Sequence, residues 1–144
     1  MTPVIDHVQV TVDDLDNAIP FYDLLLGLVG FHVELKTRAS VPEHEFEVVE
    51  YRHPRLAFAI NSPRAVLRGA RVQRRRPGSL HHLAFQAESR AEVDRVAAAL
   101  IAAGLPLVGG PGLWPQHGPD YYAVFVKDPD GLKYEVVHNP HPHC

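Results

Sequence analysis

The chain has 144 residues, of which 46% are hydrophobic and 22% charged, with a formal net charge of −3. That length suits one compact domain burying roughly two-thirds of its unfolded surface. The charge balance argues against a nucleic-acid partner, because such affinity rests on many Lys and Arg contacts to phosphate. No run of about 20 apolar residues is present, so no membrane span is expected. The first residues lack a basic segment followed by an apolar one, so no signal peptide is expected either. The single cysteine, Cys144, excludes an intramolecular disulfide and suits a reducing cytoplasm.

In chain order, residues 5–12 alternate as a half-buried strand, with Val8, Val10 and Val12 on one face and His7, Gln9 and Thr11 on the other. A helix is expected from about Asp14 or Asp16, with Ala18, Ile19, Tyr22, Leu25 and Leu26 at helical spacing and an end between Gly27 and Gly30. Pro20 falls near its first turn, where a missing N–H costs least. Strands follow at 31–36, 46–52 and 56–61, and Glu47, Glu50 and Tyr51 lie on a strand that could border a cavity. A linker from 62 to 78 carries the one basic cluster, Arg71, Arg74, Arg75 and Arg76. It reads first as a solvated segment, with steering of an acidic ligand as the other reading.

The second half repeats this order. Residues 80–87 alternate, with Leu83, Phe85 and Ala87 opposite His82, Ala84 and Gln86; His81 is read as a structural neighbour. Ser89 to Glu92 form a capping box that opens a helix running to Gly104. Then come a short LPLVG segment and a Gly/Pro-rich stretch at 109–122 that holds the only tryptophan and reads as a long loop. Strands at 121–126 and 132–137 are joined by Asp128-Pro129-Asp130-Gly131, where the aspartates suit a turn better than a metal. The end, HNPHPHC, reads as a frayed tail. The chain is therefore βαβββ over 4–61, a linker over 62–78 and βαβββ over 79–138, one structural unit used twice within a single domain.

His7 and His82 occupy equivalent places in the two halves, an offset of 82 − 7 = 75 residues. Glu135 sits in the middle of a strongly apolar strand, where a buried carboxylate must be paired, coordinated or protonated. Two histidines and a metal would satisfy it. Its counterpart near Ile60 falls in an apolar segment, which predicts three protein ligands, His7, His82 and Glu135, and open coordination positions. His117 and Tyr121 or Tyr122 are candidate acid–base groups beside it, with Glu135 itself in the catalytic set. Gln9, Gln86 and Trp114 are candidate substrate contacts.

The segments IDHVQVTVDDLDNAIPFY, HHLAF and YYAVFVKDPDGLKYEVV resemble the vicinal-oxygen-chelate superfamily, which includes glyoxalase I, extradiol dioxygenases, methylmalonyl-CoA epimerase and the fosfomycin- and bleomycin-resistance proteins. The resemblance runs from about Val4 to His138. It implies an α+β fold in which paired βαβββ modules form a curled mixed sheet around a metal-containing cavity, and a homodimer. It also implies one divalent ion (Fe, Zn, Ni, Co or Mn) that holds a small substrate through two neighbouring oxygens. The reaction would be that of a lyase or isomerase, such as lactoylglutathione lyase, or of an extradiol dioxygenase. A non-catalytic, ligand-sequestering role of the bleomycin-resistance type is the alternative. The apolar LAFAIN departs from the glyoxalase I pattern, which has a second glutamate there. That departure moves the ligand set towards the three-ligand Fe(II) arrangement.

Overall fold

A computed structural model describes residues 4–141. His143 and Cys144 of the expected tail lie outside the described residues. The chain forms two compact units that divide between Arg71 and Val72.

Unit 1 contains β1 (His7–Thr11), α1 (Leu15–Leu28), β2 (His32–Val41), β3 (Phe46–His53) and β4 (Leu56–Asn61). Its sheet has the order β1-β4-β3-β2, with β1 parallel to β4 and the remaining pairs antiparallel. Unit 2 contains β5 (Leu83–Gln86), α2 (Arg90–Ala102), β6 (Leu107–Leu113), β7 (Tyr122–Lys127) and β8 (Lys133–His138). Its sheet repeats the pattern as β5-β8-β7-β6, again with one parallel pair, β5 with β8. The architecture is α+β, a βαβββ module used twice. Among the described residues no helix is long and apolar enough to cross a membrane.

Both helices start where their caps demand. Asp14 accepts the Asn17 N–H at 2.8 Å, and Ser89 accepts the Glu92 N–H at 3.2 Å. The Glu92 carboxylate reaches back to the Glu88 N–H at 2.8 Å rather than to that of Ser89, so the expected box closes one residue early. Pro20 corrects an expectation: it lies inside α1, in the second turn, because the cap is Asp14. It is exposed, and the Asp16 carbonyl that loses its donor lies near the helix start.

Each helix buries its apolar stripe against one face of its own sheet. In unit 1 Tyr22, Leu25 and Leu26 of α1 and Tyr51, Phe58 and Ile60 of the sheet are fully buried. The Tyr51 hydroxyl donates to Asp23 of α1 at 2.9 Å, and Asp23 also pairs with Lys36. Tyr51 therefore belongs to the helix side and does not border a cavity. Glu47 pairs with Arg38 at 3.0 Å, and Glu50 lies 3.8 Å from Arg52. In unit 2 Val93, Val96 and Leu100 are buried, as are Val124, Val126, Tyr134 and Val136. The opposite face of each sheet is left for the residues that alternate with these.

The largest departure from the sequence reading is β6. The stretch at 109–122 is not one long loop: its first half is an edge strand antiparallel to β7, with Gly109 opposite Phe125 and Gly112 opposite Ala123. Proline is admissible on an edge strand, and register shifts accommodate the extra residues. Gly110 is required by geometry. Its φ is +76°, and a Cβ there would lie 2.2 Å from the Ala123 carbonyl oxygen. The remaining loop runs only from Trp114 to Tyr121, closed by a bond from the Trp114 N–H to the Tyr121 carbonyl at 2.8 Å. The turn after β7 is built as expected: Asp128 Oδ1 accepts from the N–H groups of Asp130 and Leu132 at 3.0 and 2.8 Å.

Candidate metal centre

The helix-free face of the unit 2 sheet carries Ala123, Phe125 and Lys127 from β7, Lys133, Glu135 and Val137 from β8, and Ala84 and Gln86 from β5. Strand register fixes this, since Ala84 and Phe125 flank Glu135 on either side and Lys127 stands opposite Lys133. His82, just before β5, continues the same face. Glu135 is 2% exposed at the centre of this surface. Ala123, Phe125 and Val137 form a buried apolar cluster beside it, with Trp114 and Tyr121 packed against them. Trp114 meets Phe125 edge-on at 4.9 Å and donates its indole N–H to the Ala123 carbonyl at 3.2 Å.

Two polar groups converge on the Glu135 carboxylate. The Tyr121 hydroxyl donates to Oε1 at 2.5 Å, and His82 Nε2 lies 3.5 Å from Oε2. Burial, followed by the Glu135 carboxylate, holds the Tyr121 phenol well above its ordinary pKa. It is therefore a hydrogen-bond donor at neutral pH. His82 Nδ1 is occupied by His81 Nδ1 at 2.8 Å, which directs Nε2 towards the carboxylate. A separation of 3.5 Å is long for a hydrogen bond. Imidazole nitrogen and carboxylate oxygen are donor types that divalent ions share. The donor set of imidazole nitrogen and buried carboxylate thus fits a divalent metal. Among the described residues, no three His, Cys, Asp or Glu side chains of either unit gather around one point.

The unit 1 face is related to this one but not equal to it. His7 starts β1 as His82 precedes β5; its side chain is 67% exposed, with Nδ1 2.7 Å from Asp6. Register places Ala59 opposite Gln9, as Glu135 stands opposite Ala84, so an alanine takes the place of the acid. The next position along β4 on that face holds Asn61, 7% exposed, which sequence reading overlooked. Its Oδ1 accepts from Gln9 Nε2 at 3.0 Å, and its Nδ2 donates to Thr11 at 3.1 Å and to the Ser62 carbonyl at 2.9 Å. A lone amide closing an apolar strand was the available signal.

The remaining candidates fall close to this face or at its rim. The exposed ring of His117 is 5.1 Å from that of Tyr121, whereas the Tyr122 hydroxyl turns away to Asp94 at 2.7 Å. Gln86 Nε2 donates to the Asn139 carbonyl at 3.3 Å. Lys133, on the Glu135 face as alternation along the strand expects but not among the site candidates, holds its Nζ 4.0 Å above the Phe125 ring.

Two βαβββ modules, with His7 and His82 at the entry to their first strands and Glu135 in the last strand of the second, form the pattern of a glyoxalase-type domain. The sequence profile of the Glyoxalase/Bleomycin resistance protein/Dioxygenase superfamily matches residues 4–136, and the chain belongs to that family. It is 29% identical to the uncharacterised protein YqjT of Bacillus subtilis (strain 168), over 91% of this chain and 95% of that one. A structure from Bacillus halodurans, provisionally named a glyoxalase, aligns with a TM-score of 0.76 at 30% identity over 96% of this chain and 97% of that one. A lactoylglutathione lyase from Agrobacterium tumefaciens shares the fold, with a TM-score of 0.62 at 23% identity over 96% of each chain.

Proposed function

We propose that this protein is a metal-dependent enzyme whose small substrate binds a divalent ion through two neighbouring oxygens. The observation that carries this reading is the buried Glu135 carboxylate facing His82 Nε2 beside an apolar cluster. His82 and Glu135 are two ligands, and His7 is the third, from the same chain or from the second chain of a homodimer. When bound, the ion supplies Lewis-acid polarisation of the substrate oxygens. Alanine at position 59 favours a three-ligand set with open positions, the pattern of Fe(II) oxygenases, and with it a dioxygenase over a lyase or isomerase.

The chain's own residues have separable tasks in this reading. Tyr121 holds one oxygen of Glu135 and thereby aims the other. Trp114, Phe125 and Val137 keep water from that side of the carboxylate. Asn61 fixes the Gln9 amide through its nitrogen, which leaves the Gln9 carbonyl oxygen to orient substrate beside His7. Gln86 is a second such contact. His117, an exposed imidazole beside Tyr121, is the group suited to carry a proton to or from solvent.

The test is elemental analysis of protein purified anaerobically without chelators, beside the Glu135→Ala variant. About one Fe per chain, lost in the variant, supports the three-ligand reading and leads to assays of O₂ uptake with catechols. One Zn, Ni, Co or Mn moves the proposal to lyase or isomerase chemistry. No metal after reconstitution overturns it in favour of ligand sequestration.

A further inference from the structure

Residues 51–87 hold eight of the fourteen Lys and Arg residues and none of the seventeen Asp and Glu. The rest of the chain is therefore formally −11, six cations against seventeen acids. Six of the eight arginines fall between Arg64 and Arg76, in the linker. The first part of that linker, in unit 1, is a braced turn. The Leu67 N–H donates to the Arg64 carbonyl at 2.9 Å and the Ala70 N–H to the Leu67 carbonyl at 3.2 Å, around a short 3₁₀ turn at Ala65–Leu67. Two contacts pin it to the body of the unit: the Gly69 N–H donates to Asp13 at 2.5 Å, and Arg64 pairs with Glu45 at 3.1 Å. The turn holds Val66 and Leu67 out in water, 89% and 57% exposed. Single exposed aliphatics are ordinary, whereas two adjacent ones on a fixed turn among free cations call for a partner surface. Arg68 and Arg71 are exposed and make no ion pair among the described residues. Further along the chain, in unit 2, Arg75 and Arg76 are likewise exposed and unpaired, and Arg74 is half-buried with its Nη1 enclosed.

What the segment lacks narrows the partner. No Phe, Tyr or Trp lies between Phe58 and Phe85, so no platform for stacked bases is present, and no helix carries the arginines into a groove. Two aliphatic side chains fall far short of the roughly 800 Å² per partner of a stable protein interface. A small apolar tip beside free arginines suits the headgroup layer of an anionic bilayer, which admits apolar side chains to about 5–10 Å and attracts nearby cations. The chain as a whole is net negative, so attraction to such a surface has to arise from this stretch. We infer that the 64–71 turn docks this protein peripherally on membranes rich in anionic lipid. Val66 and Leu67 enter the headgroup layer, Arg68 and Arg71 meet the lipid phosphates, and Arg75 and Arg76 add charge to the same stretch of chain.

The inference is independent of the proposed metal site, and so is its test. The full chain is sedimented with vesicles of phosphatidylcholine alone and with vesicles holding an equal part of phosphatidylglycerol. Binding to the second kind only, weakened by added salt, is expected. An arginine near an anionic surface is worth about fivefold in the partition coefficient, so Arg68→Gln combined with Arg71→Gln should lower it roughly 25-fold. The corresponding pair of lysine substitutions should retain binding, because the charge is kept. Val66→Ser combined with Leu67→Ser should weaken it about fivefold or more at unchanged charge. All four side chains are exposed, so the variants should keep the circular dichroism and thermal melt of the parent. No preference for the anionic vesicles, or full binding by the Val66–Leu67 variant, would overturn the inference. Tighter capture by single-stranded RNA than by vesicles would also overturn it, and would make the arginines a nucleic-acid site.

Discussion

Glu135 shows how one side chain can organise a surface. A carboxylate is tolerated at 2% exposure because each of its oxygens faces a polar group, Tyr121 on one side and His82 on the other. The burial of Glu135 was legible in the sequence, because an acid inside an apolar strand is anomalous. Its bond to Tyr121 was not, because that bond depends on how the Trp114–Tyr121 loop closes. Tyr121→Phe should leave a folded protein whose metal affinity falls roughly 10- to 100-fold, the usual cost of losing a group that orients a ligand. Competition with a chromophoric chelator measures this directly, and an unchanged affinity would remove Tyr121 from any role in holding the carboxylate.

At the scale of elements, β6 is the instructive case. Sequence reading assigned Gly109 to Gly112 to a loop because glycine and proline are depleted from strands. Pairing with β7 overrides that preference, and the absence of side chains is what lets Trp114 and the β7 backbone approach. A Cβ on Gly109 would lie 3.0 Å from the Trp114 ring, and one on Gly110 would meet the Ala123 carbonyl. Gly110→Ala should therefore destabilise the protein by about 2–3 kcal/mol, combining left-handed strain with the contact. Urea unfolding followed by Trp114 fluorescence would show it as a lower midpoint. The helices, by contrast, were legible almost to the residue, because Asp14 and Ser89 state their starts locally. The β2 strand was expected at 31–36 but extends to Val41, since its second half is fixed by pairing with β3 and not by its own pattern.

For the molecule as a whole, the duplication was visible as an offset of 75 between two strand histidines, and register confirms that the two sheets have the same order and the same parallel pair. The divergence between the copies was legible too, as the missing acid near Ile60; the register refines it to Ala59. The buried Nη1 of half-exposed Arg74 was not, because nothing in an Arg-rich linker distinguishes the one guanidinium nitrogen that folding removes from water. A metal held at His82 and Glu135, as proposed, would favour the folded chain over the unfolded one, so it should raise thermal stability. At about a hundredfold excess over Kd the gain is about 2.7 kcal/mol. Stripping with a chelator should then lower the Tm of the native protein by roughly 5–10 °C. The Glu135→Ala variant should show no such response in calorimetry.

The contact between His81 and His82 has a consequence for how such a cation would be taken up. Of the two facing Nδ1 atoms only one carries hydrogen. If His81 donates, His82 bears its proton on Nε2 and points it at Glu135, a self-sufficient pair. If His82 donates, its Nε2 lone pair and the carboxylate repel one another unless a positive ion lies between them. The two tautomeric states differ only in where protons sit on adjacent rings. Loading the centre would then be a relay along the imidazole pair: the Nε2 proton of His82 leaves, the shared hydrogen shifts from His81 to His82 Nδ1, and His81 gains a proton on its own Nε2, so the pair as a whole would release no net proton.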